Sequence, residues 1–421
     1  MAEIQPLRTL RYEPRVVGAL DLVTAPPYDV IDDADRAALA KKSPFNVVEI
    51  DLPRGENGGD PYLHAQNTFE AWQQQGVLVR EREPAIWALT QDYTGPDGKQ
   101  RTRHGFLCRV RVEDYGPGRI RPHERTHPGP KEDRLRLTRA TRANLSPIFS
   151  LFEDSEQAAW HALEPFTNEE PFGEATDPDG TVNKIWRVAD PGAIESVQKT
   201  LSDRELLIAD GHHRYETARV YAEEVGGEGE HRYVLMFLCS LSDPGLTIFA
   251  THRLLTDLSD DGRRAKLAET LERDFDSTPV AADDLEPAPG ETGIVLGYLD
   301  RFDDRPQRLR LKDQSIADAA LPDKPEPYRR LDTAVLEAIV LKGALGMSED
   351  DISHFHGLNY SKDAGDARAA VSDGRADAAF FMRATPVEQV REVAEAGESM
   401  PPKSTFFFPK VPTGLVFNPL E

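Results

Sequence analysis

The sequence has few cysteines, few lysines and no long apolar run. Its two cysteines, Cys108 and Cys239, stand in apolar, strand-like stretches, which predicts buried free thiols in a reducing compartment. Two cysteines also exclude a cysteine-rich zinc site. No apolar run approaches the roughly 20 residues that span a bilayer, and the first residues do not resemble a secretory signal. We therefore expect a cytoplasmic protein that does not associate with membranes.

Basic residues are outnumbered by acidic ones. The chain has 50 Lys and Arg against 73 Asp and Glu, a formal net charge of -23. This charge disfavours a protein that coats nucleic acid, because phosphate backbones are bound by basic surfaces. Only 13 of the basic residues are lysines, which fits either a salt-tolerant cytoplasm or a GC-rich genome. We expect no nucleic-acid partner, and composition leaves the oligomeric state open.

The length of the chain favours several domains. A chain of 421 residues exceeds one ordinary hydrophobic core, so two or three domains are expected. Strands and helices alternate along the sequence with hairpins between some strands, which predicts a mixed α+β class. We expect an N-terminal α/β region at 1–115, a core at 116–275 and a C-terminal α/β region at 291–421. The Asp-, Pro- and Ala-rich segment 276–290 is the predicted linker.

Local patterns predict individual elements. Apolar spacing and end signals predict helices over 60–79, 191–201 and 332–345. Two apolar runs, 233–241 and 246–251, flank Asp-Pro-Gly at 243–245. This arrangement predicts a β-hairpin.

The segment 209–218 is the most informative part of the sequence. It reads Ala-Asp-Gly-His-His-Arg-Tyr-Glu-Thr-Ala and follows a buried-strand pattern at 206–208. Apolar residues at helical spacing continue from 215, so the polar residues lie at a strand-to-helix turn, where N–H groups and the helix dipole favour anions. A turn whose side chains merely cap neighbouring carbonyls is the alternative. From this turn we expect a small phosphate-bearing ligand as the partner. The predicted phosphate-binding residues are Gly211, His212, His213 and Arg214, and the predicted catalytic residues here are Asp210, His213 and Arg214.

A second polar cluster lies between prolines at 121–134. Three prolines and a glycine predict an irregular loop over 122–130, followed by a helix over 131–145. His123-Glu124-Arg125-Thr126-His127 matches the string of zinc proteases, but the flanking Pro122 and Pro128 disfavour the helix that this motif needs. A solvated charged loop is the alternative. The candidates here are Glu124 for catalysis, Lys131 and Arg134 for phosphate, and His123 and His127, with Asp210, for a metal ion.

The C-terminal segment 400–410 offers further anion contacts. Lys403 and Ser404 are candidates for phosphate binding, with three phenylalanines that anchor the tail. In the alternative, Phe406 and Phe408 face the core from an edge strand and the lysines are merely exposed. The Pro-Pro turn at 24–30 is predicted to be structural.

Four of these segments together resemble one family. The blocks at 24–31, 123–152, 209–218 and 400–417 are similar to the signature blocks of an uncharacterised prokaryotic family, domain of unknown function 1015. They are in order and extend over nearly the whole chain. This resemblance implies family membership without supplying a function.

The 209–218 turn alone is similar to the glycine-x-His/Arg-Arg turn of the ParB/sulfiredoxin superfamily, which includes free serine kinases. The resemblance implies a ParB/sulfiredoxin-like core in which the backbone at Gly211 and His212 and the side chains of His213 and Arg214 contact phosphate. His212 stands where sulfiredoxin has its reactive cysteine, so sulfinic-acid repair is excluded. The chain also lacks the basic DNA-binding domain of the partition proteins.

Three functions follow as hypotheses. The first is serine-kinase-like phosphoryl transfer from ATP or another nucleotide, with Mg²⁺, to a small polar metabolite; Glu124 or Asp210 would activate the acceptor or hold Mg²⁺. The second is a phosphohydrolase whose histidines and Asp210 bind Zn²⁺ or Mn²⁺. The third is a non-enzymatic nucleotide-binding regulator. The first two require the loop at 122–134 and the turn at 210–214 to meet in space.

Overall fold

The computed structural model describes residues 2–55, 58–123 and 128–421. Among these residues, contacts divide the chain into two units. Unit 1 holds the described residues up to Pro122, then 128–247 and 409–421, and unit 2 holds His123 and 248–408. The predicted mixed α+β class is confirmed. The units have other boundaries than the three predicted regions, because the last residues of the chain belong with unit 1.

Unit 1 is built on a large mixed sheet. Its strand order is β6-β11-β8-β12-β5-β4-β10-β9, and β1 pairs with β5. The pairs β2 with β3 and β7 with β21 form two small sheets. The strands of unit 1 are β1 (Ile4–Gln5), β2 (Leu10–Tyr12), β3 (Leu78–Arg80), β4 (Ile86–Thr94), β5 (Gln100–Arg111), β6 (Ile120–Pro122), β7 (Ala143–Asn144), β8 (Ile148–Phe152), β9 (Gly173–Thr176), β10 (Val182–Val188), β11 (Leu206–Asp210), β12 (Tyr233–Ser240) and β21 (Asn418–Pro419).

Helices pack on this sheet and bury its apolar positions. All five residues of β8 are buried, as expected for a central strand that is covered on both faces. Short 3₁₀ turns lie at Leu20–Leu22, Tyr28–Val30, Glu164–Asn168 and Glu230–Arg232. The α-helices of unit 1 are α1 (Pro14–Val17), α2 (Asp33–Lys42), α3 (Val48–Asp51), α4 (Pro61–Gln74), α5 (Pro128–Thr141), α6 (Ala158–Leu163), α7 (Pro191–Leu201) and α8 (His212–Val225).

The predicted hairpin around 243–245 is wrong. β12 pairs with β5 along one edge and with β8 along the other, so the next strand has no free edge of β12 to join. That strand, β13 (Thr247–Phe249), pairs instead with β20 (Phe406–Phe408).

The predicted irregular loop over 122–130 is also wrong in its last part. Helix α5 begins at Pro128 and includes Pro130. Proline is tolerated in the first turn of a helix, because the N–H that it lacks has no acceptor within the helix there.

Unit 2 contains a six-stranded sheet with helices on both faces. Its order is β15-β17-β16-β19-β14-β18. Apolar residues of α9 pack with one face, and those of α14 with the other. Unit 2 contains β13, β14 (His252–Leu255), β15 (Phe275–Pro279), β16 (Val295–Asp300), β17 (Gln307–Leu311), β18 (Leu358–Ser361), β19 (Ala378–Phe381) and β20, with α9 (Asp261–Asp274), α10 (Gln314–Ala320), α11 (Glu326–Arg329), α12 (Asp332–Val335), α13 (Glu349–Ser353), α14 (Ala364–Ser372) and α15 (Val387–Glu395).

Two segments of unit 2 differ from expectation. The predicted linker 276–290 instead carries most of β15, which pairs with β17 from Phe275 to Pro279. The predicted helix at 332–345 is present, but after α12 it continues as a π-helix over Leu336–Ala344. Within the described ranges, no helix is both long and apolar enough to cross a membrane.

Candidate functional site

The turn between β11 and α8 requires a glycine. Gly211 has φ of 92°, a conformation that costs little only without a Cβ. A Cβ at this position would also lie 2.9 Å from Nε and 3.0 Å from Cζ of Arg214. Gly211 is the N-cap of α8, and the first N–H groups of a helix have no acceptor within it. The absent side chain therefore leaves room both for Arg214 and for a ligand near the helix end.

Three charged side chains meet at this turn. Asp210 accepts hydrogen bonds from Arg214 Nη2 at 2.8 Å and from Lys410 Nζ at 2.9 Å. Burial alone would raise the pKa of Asp210, but the charges of Lys410 and Arg214 outweigh it and hold that pKa below its usual range. The carboxylate is therefore ionised, and the three groups together carry one net positive charge.

Arg214 ties the turn to two other motif segments. Its Nη1 donates to Ser146 Oγ at 2.8 Å and to the carbonyl oxygen of Pro147. Ser146 Oγ in turn accepts from Thr413 Oγ1 at 2.9 Å, and Thr413 exchanges two main-chain hydrogen bonds with Ala25. Residues from all four motif blocks therefore meet around one guanidinium group within unit 1.

Helices α5 and α8 run parallel beside this turn. Lys131 Nζ lies 3.9 Å from Glu216 Oε2 near their starts, and Arg139 pairs with Glu224 at 2.5 Å two turns later. Both N-termini therefore lie at the same end. Because each helix is positive at that end, the first turn of α5 adds to the potential at the 210–214 turn. The part of the 122–134 segment from residue 128 onward thus does meet this turn.

Arg134 lies beside the site, but its guanidinium group donates its hydrogen bonds to protein acceptors. Its Nη1 donates to the main-chain oxygen of Asp51 at 2.9 Å and to Oδ1 of Asp51 at 3.1 Å. Its guanidinium carbon lies 4.2 Å from the ring centre of Tyr28. Burial raises the pKa of Asp51 and raises that of Tyr28 to about 12.

A small cavity lies among these groups. Its volume is about 40 Å³, and Arg134, Ser146, Arg214 and Thr217 are among its lining residues. A cavity of this size has room for one or a few water molecules. Arg134 and Asp51 therefore shape the wall behind Arg214.

The predicted C-terminal contacts belong to unit 2. Ser404 is buried, and its hydroxyl bonds to Thr333 Oγ1 at 3.0 Å and to the carbonyl oxygen of Pro401 at 2.7 Å. Lys403 is exposed and has φ of 58°. Phe407, rather than its two neighbours, is the buried member of the phenylalanine run, so the alternative in which Phe406 and Phe408 face the core does not hold.

The predicted histidine loop is described only at its start. His123 is buried in unit 2, where its Nε2 lies 2.7 Å from Thr405 Oγ1. Glu124 and His127 lie outside the described residues. In the part of the chain that the structure describes, no group of three or more His, Cys, Asp or Glu side chains is placed to hold a metal ion.

Lys410 is the main residue that sequence reasoning missed. It lies in the same C-terminal block as Lys403, yet only Lys410 belongs to unit 1 and binds Asp210. Ser146 was also missed as a partner of Arg214. A signal was present, since both residues stand in motif blocks, but nothing local distinguishes Lys410 from Lys403.

The sequence profile of a family described as a protein of unknown function, DUF1015, matches residues 4–334. The chain belongs to the DUF1015 family. The family predicted from the four motif blocks is thereby confirmed. No curated protein matches this DUF1015 chain.

Several solved structures are similar to this DUF1015 protein at low identity. A conserved hypothetical protein from Pyrococcus furiosus is 15% identical, with a TM-score of 0.35, over 70% of this chain and 92% of its own. A free serine kinase variant in complex with AMP is 14% identical, with a TM-score of 0.37, over 70% and 89%. C-terminally truncated SbnI from Staphylococcus aureus is 13% identical, with a TM-score of 0.38, over 73% and 85%. Likenesses of this degree assign neither a substrate nor an activity to the DUF1015 chain.

Proposed function

We propose that the turn at 210–214 binds the phosphate groups of a nucleotide, and that the protein transfers a phosphoryl group to a small hydroxylated metabolite. The observation that carries the proposal is the position of the net positive cluster of Asp210, Arg214 and Lys410 at the start of α8, with the parallel helix α5 beginning at the same end. Helix N-termini with fixed cations are the usual protein environment for phosphate.

The residues divide into contacting and orienting groups. The main chain at His212 and His213 and the ammonium group of Lys410 contact the phosphate oxygens. Arg214 holds the turn through Ser146 and Pro147 and adds its charge. Asp210 is held ionised by two cations and is therefore a weak base, so its role is to orient Lys410 and Arg214.

Phosphoryl transfer needs mainly positioning and neutralisation of charge. A cluster with one net positive charge suits the charge that a phosphoryl group carries through its transition state. Mg²⁺ bound with the nucleotide supplies further neutralisation. This chain's own residues fix the phosphate beside the two helix ends and leave the acceptor hydroxyl to approach from solvent.

Phosphorus NMR tests the reaction. ATP, ADP and CTP are each incubated with Mg²⁺, serine and other hydroxylated amino acids, with wild-type protein and with Lys410→Met. We expect a new phosphate-ester signal with the wild type and at least a tenfold slower appearance with Lys410→Met, because the variant removes one contacting cation.

Lys403→Met is the matched control, since it removes a lysine of the same C-terminal block that belongs to unit 2. It is expected to retain activity. Equal rates for all three proteins would contradict the role of Lys410. Nucleotide binding without any new ester would contradict transfer and leave the regulatory alternative.

A further inference from the structure

A buried polar row leads from the large sheet to Lys410. Asn183, Gln91 and Arg103 are register partners on the adjacent strands β10, β4 and β5, and each is fully buried. The Gln91 amide donates to Asn183 Oδ1 at 2.7 Å and to the main-chain oxygen of Lys410 at 2.9 Å. The Gln91 oxygen accepts from Arg103 Nε at 3.0 Å and also from Nη2.

Gln91 has one available orientation in this row. Both amide hydrogens have acceptors and the oxygen has the Arg103 guanidinium as donor, so rotating the amide would place like groups against each other. Asn183 and Arg103 therefore fix the direction in which Gln91 presents its N–H to Lys410.

Arg103 is an unusual residue to bury at this place. Its guanidinium carbon lies 4.4 Å from the ring centre of Phe149 and 5.2 Å from that of Phe237, and its Nη1 has no hydrogen-bond partner among the described residues. Gly105 leaves space for the Phe237 ring beside Arg103, since a Cβ at Gly105 would lie 2.4 Å from that ring. Burial lowers the pKa of Arg103 to about 10, which still leaves it charged near neutral pH.

A buried cation normally destabilises a fold, and an apolar side chain of similar volume would avoid that penalty. Arg103 donates hydrogen bonds to Gln91, and Gln91 in turn donates to the main chain of Lys410. The ammonium group of Lys410 is bound to Asp210 at the turn. The row thus ends at the phosphate site, although none of its side chains belongs to the turn.

We propose that Gln91 and Arg103 are positioning residues, which fix the main chain at Lys410 so that its ammonium group stays at the 210–214 turn. The inference rests on the proposed function for its effect on phosphate, but the geometry of Lys410 can be tested without any nucleotide.

Gln91→Glu separates this role from general stability. The substitution keeps an acceptor for Arg103 and gives it a carboxylate partner, but it removes both N–H donors, including the one to Lys410. Asn183→Asp is the matched control, because it makes the same change from amide to acid in the same row. It keeps the oxygen that accepts from Gln91 and removes only its own N–H donors, which bond to Ala175 and Asp177.

The direct readout is NMR of protein labelled with ¹⁵N at the lysine side chains, with the Lys410 signal assigned by Lys410→Met. In the wild type, the Nζ protons of Lys410 should exchange slowly with water, because they are bound to a partly buried carboxylate. We expect exchange at least tenfold faster in Gln91→Glu and within twofold of wild type in Asn183→Asp. Unchanged exchange in Gln91→Glu, or equal acceleration in both variants, would overturn the proposal.

The functional readout is ADP affinity by calorimetry on the same proteins. We expect affinity at least tenfold lower for Gln91→Glu and within about twofold of wild type for Asn183→Asp. If wild-type protein binds no ADP, the proposed function fails, while the exchange measurement still decides whether Gln91 positions Lys410. An ADP affinity unchanged in Gln91→Glu would show that this positioning has no functional effect and would overturn the inference.

Discussion

Replacing Arg214 by methionine is expected to lower the free energy of unfolding by about 3 kcal/mol and to weaken ADP binding at least tenfold. The side chain is mostly buried and makes bonds to Asp210, Ser146 and Pro147. Removing one partner of a buried charged network leaves the others unsatisfied, which typically costs about 3–5 kcal/mol. The substitution also removes the net positive charge of the cluster. Urea unfolding measures the first effect and calorimetry with ADP the second.

Arg219→Met is the control on the same helix. Arg219 pairs with Asp114, which is exposed, and with Glu216 at 3.4 Å, and ion pairs near the surface contribute about 0–1 kcal/mol. A loss of stability at Arg219 equal to that at Arg214 would contradict the special role of the 210–214 turn.

Gly211→Ala is expected to destabilise unit 1 by about 2–5 kcal/mol and to weaken ADP binding with it. One part of the effect is the left-handed backbone, which costs a residue with a Cβ about 1–2 kcal/mol. The other part is the clash with the Arg214 guanidinium, 2.9 Å from the new Cβ, because overpacking costs about 1–3 kcal/mol. Thermal unfolding with and without ADP measures both consequences.

Gly76→Ala isolates the backbone part. Gly76 also has a positive φ, 71°, and a Cβ there would meet nothing within 4 Å. We expect this variant to lose only the backbone part, about 1–2 kcal/mol, and to retain ADP binding. If the two alanine variants lose the same stability and both bind ADP normally, the close approach of Arg214 to Gly211 contributes neither to stability nor to ADP binding, which would contradict this prediction.

Local signals were enough to predict many elements. Helix α7 is found at Pro191–Leu201, the range predicted, because Asp190 caps it and proline occupies its first turn. The 209–218 turn was equally visible, since its glycine and its helix start are adjacent in sequence. In each case the determining interactions lie within a few residues.

Pairings between distant segments could not be predicted. The hairpin around 243–245 has the right turn residues, yet β5 and β8 already occupy both edges of β12. The same limit applies to the site. Asp210 and Lys410 are 200 residues apart, and the sequence contains no pattern that joins them. The role of Gln91 depends on strand register, which composition and periodicity do not reveal.

Hydrogen exchange with mass spectrometry, in the presence of ADP or of adenosine, tests the central claim most directly. The account predicts that ADP slows amide exchange in peptides covering 209–218 and 128–134, because phosphate accepts from the first N–H groups of α8 and from those of Gly129 and Lys131 in α5, whose two prolines have none. Adenosine, which lacks phosphate, should leave those peptides unchanged. No protection of these peptides by saturating ADP, or equal protection by adenosine, would contradict a phosphate site at the 210–214 turn.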